Sequence, residues 1–300
     1  MPMNIETHQV LGLDQPCPMA VNGRSNMEIR DALDVPGDAA YHPCSEAFPR
    51  EGVATGSVTS FKDWQASKVF PDTKRDMWIY VPEGVSVEAP VIVFNDGAGY
   101  LNREGAIRAT AVLDNLIAAG DIQPTVAAFV NPGQPVDGSD RGQRSYEYDS
   151  MTPDYGRFII DEVLPFMESE AGVSLSEDPG KRTICGVSSG GICAFNLAWH
   201  HPDSFGRVLS HCGSFTNIRG GHNFPYLIRS TERKPIRVLL QSGEADAAIL
   251  LGDWPLANKT MANALEYAGY NYRFEFGTGG HSLRHGGALF ADSLRWLWRD

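Results

Sequence analysis

The chain has 300 residues, enough for one large domain, and its content of 42% hydrophobic and 21% charged residues is typical of a globular protein. Asp and Glu number 37 against 25 Lys and Arg, for a net charge of −12 with neutral histidines. No basic cluster could neutralise phosphates, so the sequence argues against nucleic acid and anionic membrane surfaces as partners.

Residues 1–52 predict an irregular N-terminal arm, because Pro, Gly, Asn and Asp are frequent there and hydrophobic periodicity is weak. We expect this arm to cover the functional site or to mediate formation of a homodimer.

Export of the protein would allow Cys17 and Cys44 to form a disulfide. The chain does not begin with a charged and then apolar signal sequence, which slightly favours the cytoplasm over a periplasmic or secreted location.

Residues 53–300 predict a single domain in which short apolar strands alternate with amphipathic helices. The predicted strands lie at 56–60, 75–81, 90–95, 125–131, 182–186, 207–212, 236–242 and 272–277. The predicted helices lie at 104–119, 153–170, 189–200, 255–268 and 285–298. Segments 91–94 and 125–130 are apolar on both faces, which is typical of parallel strands covered on both sides. The pattern predicts an α/β fold with a doubly wound, mostly parallel eight-stranded sheet and an antiparallel edge.

The segment from Gly186 to Gly191 is the most informative stretch of the sequence. It contains Gly-x-Ser-x-Gly, centred on Ser188, between a predicted strand and a predicted helix. A serine on such a sharp turn projects its hydroxyl from the top of the sheet, and glycines two residues away avoid collisions. The pattern therefore predicts that Ser188 is a catalytic nucleophile. A glycine-rich turn whose serine only caps the helix is the alternative.

A nucleophilic serine needs a base, and the base needs an orienting carboxylate. His281 is the predicted base, because it lies in a glycine-rich loop after the last predicted strand; His285 is the second candidate. Asp246 is the predicted acid, because it follows the strand at 236–242. The alternative acids are Glu244 and Asp253.

Two backbone N–H groups are expected to bind the developing oxyanion. One belongs to Ser189, directly after the nucleophile. The other is expected from the glycine-rich loop that follows the strand at 90–95, where Gly97 and Ala98 are both candidates. The five cysteines match no zinc-binding spacing, so no metal site is expected.

Over residues 56–300 the chain resembles the esterase family that includes enterochelin esterase, esterase D, and the feruloyl and acetyl-xylan esterases. The resemblance depends on short motifs at 95–99, 144–149, 186–191, 243–246 and 280–282. It implies an α/β-hydrolase fold, a serine mechanism and no cofactor. It also implies that Arg144 and Glu147 brace the loop beside the active site, with a solvent-exposed ion pair as the alternative.

The long segments 132–149 and 213–232 are expected to line the substrate pocket. The candidate substrate-binding residues are Arg144, Tyr146, Glu147, Arg219 and His222. Aromatic and arginine side chains suit an aryl, sugar or siderophore-type ester. The hypothesis is therefore a serine-dependent carboxylic ester hydrolase that acts on a small-molecule ester through an acyl-enzyme. A lactone or amide hydrolase with the same triad is one alternative, and a non-catalytic binding protein on this scaffold is another.

Overall fold

A mixed β-sheet with helices on both faces forms the centre of the protein. The computed structural model describes residue 33 and residues 35–85, 87–139 and 142–299. The strands are β1 Ser57–Trp64, β2 Thr73–Val81, β3 Val91–Asn95, β4 Val126–Val130, β5 Gln134–Pro135, β6 Arg182–Val187, β7 Arg207–His211, β8 Arg237–Gly243, β9 Ala248–Ile249, β10 Gly252–Asp253 and β11 Asn271–Gly277. The helices are α1 Gly97–Leu101, α2 Ala109–Ala119, α3 Gln143–Asp149, α4 Asp154–Phe158, α5 Leu164–Ala171, α6 Ser189–His200, α7 Phe224–Ser230, α8 Trp254–Tyr267, α9 Arg284–Ala288 and α10 Phe290–Trp298.

The strands follow the order β1-β2-β4-β3-β6-β7-β8-β11, and the short β5 pairs with β2. Strand β1 pairs antiparallel with β2, and β2 pairs antiparallel with β4. Along this order, every pair of neighbouring strands from β4 to β11 is parallel. The prediction of a doubly wound, mostly parallel sheet with an antiparallel edge is therefore confirmed. The carboxyl ends of β3, β6, β8 and β11 meet at one edge, where a parallel α/β sheet places its functional loops.

The hydrophobic core has two parts, one on each face of the sheet. Alternate residues of a strand point to opposite faces. In β3, Val91 and Val93 join one cluster, whereas Ile92 and Phe94 join the other. Every residue of β3 is buried, which explains its unbroken apolar run.

Several helix boundaries differ from the sequence prediction. The predicted helix at 104–119 starts only at Ala109, because Arg108 has a left-handed backbone with φ of 55°. The predicted helix at 153–170 is divided by a π-helical turn at Ile159–Val163, just before Pro165, which has no N–H to donate. The predicted helix at 285–298 is interrupted at Leu289. Helices α1, α3 and α7 and the β9–β10 hairpin lie in segments that were expected to be loops.

The described part of the N-terminal arm contains two short 3-10 turns, at Pro36–Ala40 and Ser45–Ala47. Asn115 of α2 donates hydrogen bonds to the carbonyl oxygens of Glu46 and Phe48, so the arm lies against the domain. Cys44 forms no disulfide with any cysteine that the structure describes, and its predicted partner Cys17 lies outside the described residues. Within the described ranges, no helix is both long enough and apolar enough to cross a membrane.

Candidate active site

The turn between β6 and α6 carries Ser188. Its backbone has φ of 59° and ψ of −122°, a conformation that costs a non-glycine residue on the order of 1–3 kcal/mol. Hydrogen bonds hold this turn: the N–H of Ser188 donates to the carbonyl of His211 at 2.9 Å, and the N–H of Ser214 donates to the carbonyl of Ser188 at 3.1 Å. The turn therefore aims the serine hydroxyl out of the sheet edge.

The glycines around Ser188 are required by close contacts. A methyl group on Gly186 would lie 2.2 Å from the carbonyl oxygen of Gly190. One on Gly190 would lie 2.9 Å from a carboxylate oxygen of Asp96, and one on Gly191 would lie 2.7 Å from Oγ of Ser210. Each distance is too short for a methyl group, so the spacing of the motif follows from the packing of the turn.

A hydrogen-bonded relay joins the three predicted triad residues. Nε2 of His281 lies 2.8 Å from Oγ of Ser188, and Nδ1 of His281 lies 2.6 Å from Oδ1 of Asp246. The side chains of His281 and Asp246 are almost entirely buried. With Nδ1 protonated towards Asp246, Nε2 is free to accept the proton of Ser188.

Further groups fix the acid and the nucleophile. Asp246 also accepts hydrogen bonds from the N–H of Ala247 at 2.7 Å and from Oγ of Ser242 at 3.0 Å. Oγ of Ser214 lies 3.2 Å from Oγ of Ser188 and accepts the indole N–H of Trp254 at 3.1 Å. Because Trp254 occupies one lone pair, the Ser214 hydroxyl can donate to Ser188. Neither Ser214 nor Trp254 was found from the sequence, since no local motif marks them.

The alternative histidines have other partners. Nδ1 of His285 lies 3.1 Å from the side-chain amide of Gln241, and burial lowers the pKa of His285. His211 is fully buried and bonded to the hydroxyl of Tyr100 at 2.8 Å, and burial lowers its pKa to about 3.

Of the two alternative acids, Asp253 caps α8 by accepting the N–H of Leu256 at 2.7 Å. The side chain of Glu244 makes no hydrogen bond or ion pair with the described residues. Among the candidate acids, the structure joins only Asp246 to His281 within its described part.

The two candidate oxyanion donors after β3 differ in their partners. The N–H of Ala98 donates to Oδ1 of Asn131 at 3.0 Å. The N–H of Gly97 has no hydrogen-bond acceptor among the described residues, and neither does the N–H of Ser189. A methyl group on Gly97 would lie 2.3 Å from the carbonyl carbon of Phe129, so only glycine fits there. The geometry therefore favours Gly97 over Ala98 as a free donor.

Arg144 and Glu147 belong to different ion pairs. Arg144 makes two hydrogen bonds to the carboxylate of Asp96, at 2.8 and 2.7 Å. Glu147 makes two to Arg75 of β2, at 2.8 and 2.9 Å, and both side chains are fully buried. The alternative interpretation, a solvent-exposed ion pair between Arg144 and Glu147, is therefore wrong, because each residue pairs with a different partner. The buried side chain of Glu147 links α3 to β2 through Arg75. It therefore has no exposed atom that a substrate could contact.

The remaining predicted binding residues lie along α3 and the segment before α7. Tyr146 is 50% exposed, and the guanidinium of Arg219 lies 5.9 Å from the centre of its ring. Nε of Arg219 donates to Oγ of Ser145 at 3.3 Å. His222 is exposed in the 3-10 turn Gly221–Asn223. Arg144, Ser145, Tyr146 and Arg219 together form what we call the arginine rim.

A buried carboxylate that the sequence did not reveal lies beside the arginine rim. Asp149 is 2% exposed, and neither of its carboxylate oxygens accepts a geometrically adequate hydrogen bond from the described residues. Burial raises the pKa of Asp149, while the nearby hydroxyls of Ser145 and Ser189 and the charge of Arg144 offset part of that rise.

One group of potential metal ligands occurs among the described residues: Cys212, Asp246 and His281, whose ligand atoms lie within 4.8 Å of one another. Asp246 and His281 already bond to each other through these atoms. Burial raises the pKa of Cys212, which favours the thiol over the metal-binding thiolate. A metal ion would therefore have to break the Asp246–His281 hydrogen bond and displace the thiol proton.

Comparisons with known proteins show which family the chain belongs to. The model of the family described as "Putative esterase" matches residues 67–297. Iron(III) enterobactin esterase of Dickeya dadantii is 27% identical over 253 residues, which cover 78% of this chain and 54% of that protein. Iron(III) enterobactin esterase of Escherichia coli K12 is 24% identical over 194 residues, which cover 62% of this chain and 45% of that protein. The chain thus spans about half the length of these relatives.

Solved structures show the same fold. The enterobactin esterase of Shigella flexneri, crystallised in the presence of enterobactin, superposes with a TM-score of 0.64 at 21% identity, covering 88% of this chain and 62% of that one. A ferulic acid esterase from the anaerobic fungus Anaeromyces mucronatus superposes with a TM-score of 0.62 at 16% identity, covering 88% and 97%. The expected α/β-hydrolase fold is confirmed.

Proposed function

Because the chain belongs to the esterase family whose model it matches over residues 67–297, we propose that it hydrolyses carboxylic esters through an acyl-enzyme on Ser188. The observation that carries the proposal is the relay from Ser188 through His281 to Asp246, with hydrogen bonds of 2.8 and 2.6 Å. A strained serine at a strand-to-helix turn, a bridging imidazole and a buried carboxylate have the roles that acyl transfer requires.

In the proposed reaction, each step uses a side chain of the relay or a backbone N–H group beside it. Nε2 of His281 accepts the proton of Ser188 as Oγ attacks the carbonyl carbon, and Asp246 stabilises the resulting imidazolium. The N–H groups of Ser189 and Gly97 bind the oxyanion, for which one such donor is worth about 3 kcal/mol. His281 then protonates the leaving alcohol. Water, deprotonated by His281, attacks the acyl group and releases the acid and free Ser188.

The substrate that we propose is an ester with an aromatic group, of the aryl or siderophore type. Arg144 of the arginine rim lies beside the turn of Ser188, because it bonds to Asp96 and a methyl group on Gly190 would touch that same carboxylate. Arginine and tyrosine side chains bind aromatic rings and negatively charged oxygens. Relatives named for enterobactin and for ferulic acid support this class of substrate.

The experiment is labelling with a fluorophosphonate probe, which reacts with activated serines, on the wild type and on Ser188→Ala. We expect labelling of the wild type and none of the variant. In Ser188→Ala, kcat for the hydrolysis of aryl acetates and of an ester of an aromatic acid should fall by a factor on the order of 10⁶. Ser174→Ala is the matched control, because Ser174 is an exposed serine outside the relay, and its labelling should equal that of the wild type.

Each alternative predicts a different result. A lactone or amide hydrolase would be labelled at Ser188 but would turn over lactones or amides in preference to esters. A binding protein on this scaffold would fold normally, resist labelling and hydrolyse none of these compounds. Unlabelled, folded wild-type protein would overturn the proposed function.

A further inference from the structure

The N-terminal arm touches the loop that carries the proposed catalytic base. We call residues 35–48 the strap and residues 277–282 the histidine loop. The N–H of Thr278 donates to the hydroxyl oxygen of Tyr41 at 2.9 Å, and its hydroxyl donates to the carbonyl of Gly37 at 3.2 Å. A methyl group on Gly37 would lie 1.9 Å from the carbonyl oxygen of Thr278. The two backbones are therefore in direct contact.

Asp38 makes the central contact between the strap and the histidine loop. One carboxylate oxygen accepts the N–H of Gly280 at 3.0 Å, and the other accepts the hydroxyl of Ser282 at 2.8 Å. These two donors stand immediately before and after His281 in the chain. Asp38 is 0% exposed, and hydrogen bonds to a carboxylate are stronger than those between neutral groups. A single buried side chain thus holds both neighbours of the base.

The histidine loop needs such support because glycine occupies three of its six positions: Gly277, Gly279 and Gly280. Glycine allows many backbone conformations, and their loss on folding has an entropic cost. On the other side of the loop, Glu244 and Ala245 donate N–H groups to the carbonyls of Gly277 and Gly279, at 2.8 and 3.2 Å. These bonds end two residues before His281, whereas those of Asp38 flank it.

The strap itself is anchored at several points, so it can present Asp38 rigidly. Glu46 forms an ion pair with Arg295 of α10 at 2.7 Å. The N–H of Cys44 donates to the carbonyl of Gly287 in α9 at 3.3 Å. The ring of Tyr41 stacks on His285, with 4.2 Å between ring centres.

We propose that Asp38 is a positioning residue for His281, holding the histidine loop where the imidazole bridges Asp246 and Ser188. This proposal rests on the proposed function, because it takes His281 as the base. The strap lies before residue 67, where the family match begins, so the contact is supplied by a segment outside the matched region.

The test measures kcat, KM and the rate of fluorophosphonate labelling for Asp38→Ala and Asp38→Asn in the full chain. Loss of both acceptors in Asp38→Ala should lower kcat and the labelling rate together by roughly 10- to 100-fold, with KM little changed, because small displacements of catalytic groups have effects of this size. In Asp38→Asn, the amide oxygen can still accept from Gly280, and the amide nitrogen can donate to Ser282. We therefore expect Asp38→Asn to recover most of the wild-type kcat.

Glu51→Ala is the matched control, because it removes an exposed carboxylate just beyond the strap and leaves the anchors of the strap and the contacts of Asp38 in place. Its kcat should equal that of the wild type. If Asp38→Ala does not fold, Ser282→Ala removes one of the two donors from the other side, and its kcat should fall several-fold.

Four outcomes would overturn the positioning role, given a wild type that is labelled at Ser188. They are a folded Asp38→Ala with wild-type kcat, a folded Asp38→Asn as slow as Asp38→Ala, a Glu51→Ala as slow as Asp38→Ala, and an unaffected Ser282→Ala. Failure of the wild type to label at Ser188 would instead overturn the proposed function, so the two failures are distinguishable.

Discussion

The two sides of Ser188 differ in how completely their polar groups are paired. On the acid–base side, Asp246 accepts hydrogen bonds from His281, Ala247 and Ser242, and the loop around His281 is held by Asp38. On the proposed oxyanion side, the N–H groups of Gly97 and Ser189 have no acceptors among the described residues. The first side is preorganised by the protein, whereas the second presents donors that a substrate oxygen would complete.

The buried carboxylates on the two sides of Ser188 also differ in how completely they are paired. The carboxylate of Asp246 is fully buried and paired, while Asp149, on the other side, is buried with no adequate hydrogen bond from the described residues. Arg144 is 40% exposed although it is bonded to Asp96. We therefore expect the largest losses of kcat from substitutions of the relay residues, and smaller, graded losses from substitutions on the proposed oxyanion side.

After Ser188→Ala, the largest effect is expected for Asp246→Asn. The amide cannot accept the Nδ1 proton as a charged carboxylate does, so His281 loses both its favoured tautomer and the stabilisation of its cation. We expect kcat for ester hydrolysis to fall by about 10³- to 10⁴-fold with little change in folding. Asp253→Asn, a change in a helix-capping carboxylate, is the control and should retain wild-type kcat. Equal activity of Asp246→Asn and the wild type would contradict the division between the two sides.

An intermediate effect is expected for Arg144→Ala. Asp96 has φ of 52° and directly precedes Gly97, so the two hydrogen bonds from Arg144 help to orient the Gly97 N–H. Partial loss of one oxyanion donor should lower kcat about 10- to 100-fold. Arg157→Ala is the comparison, because Arg157 pairs with Asp154 on α4. A change in KM alone would assign Arg144 to substrate binding and not to oxyanion geometry.

The smallest effect is expected for Asp149→Asn, and it is a change in stability with pH. Because burial raises the pKa of Asp149 in the folded protein, folding favours the protonated acid. The stability that this group contributes is present below its unfolded pKa and is lost as pH rises through the raised folded pKa. The free energy of unfolding of the wild type, relative to Asp149→Asn, should therefore decrease from acid to neutral pH.

Urea denaturation of both proteins across this pH range measures the difference. Asp154→Asn serves as the control, because the pKa of that exposed carboxyl is lowered by the hydrogen bond from Arg157 and its pH dependence should have the opposite sign. A gap between wild type and Asp149→Asn that stays constant with pH would show that Asp149 is not desolvated as described.

The sequence alone predicted the strands, the mostly parallel sheet with its antiparallel edge, and the three residues that the structure joins by hydrogen bonds. Apolar runs such as that at 91–94 specify buried parallel strands, and Ser188 is marked by glycines whose spacing the sharp turn demands. His281 and Asp246 each follow a strand, so the topology brings them to one edge. These signals are local or depend only on chain order. They can therefore be recognised in the sequence without knowledge of the tertiary contacts.

Other features were decided only by tertiary packing. Arg75 and Glu147 pair across 72 residues, and Asp38 reaches Gly280 across 242 residues, so no local pattern connects them. The choice of Gly97 over Ala98 depended on Asn131, which occupies the N–H of Ala98. Periodicity and spacing report which residues share a strand, a helix or a turn. Partners distant in the chain are determined by which buried polar groups meet when the core forms, because a buried polar group without a hydrogen bond is costly once water is excluded.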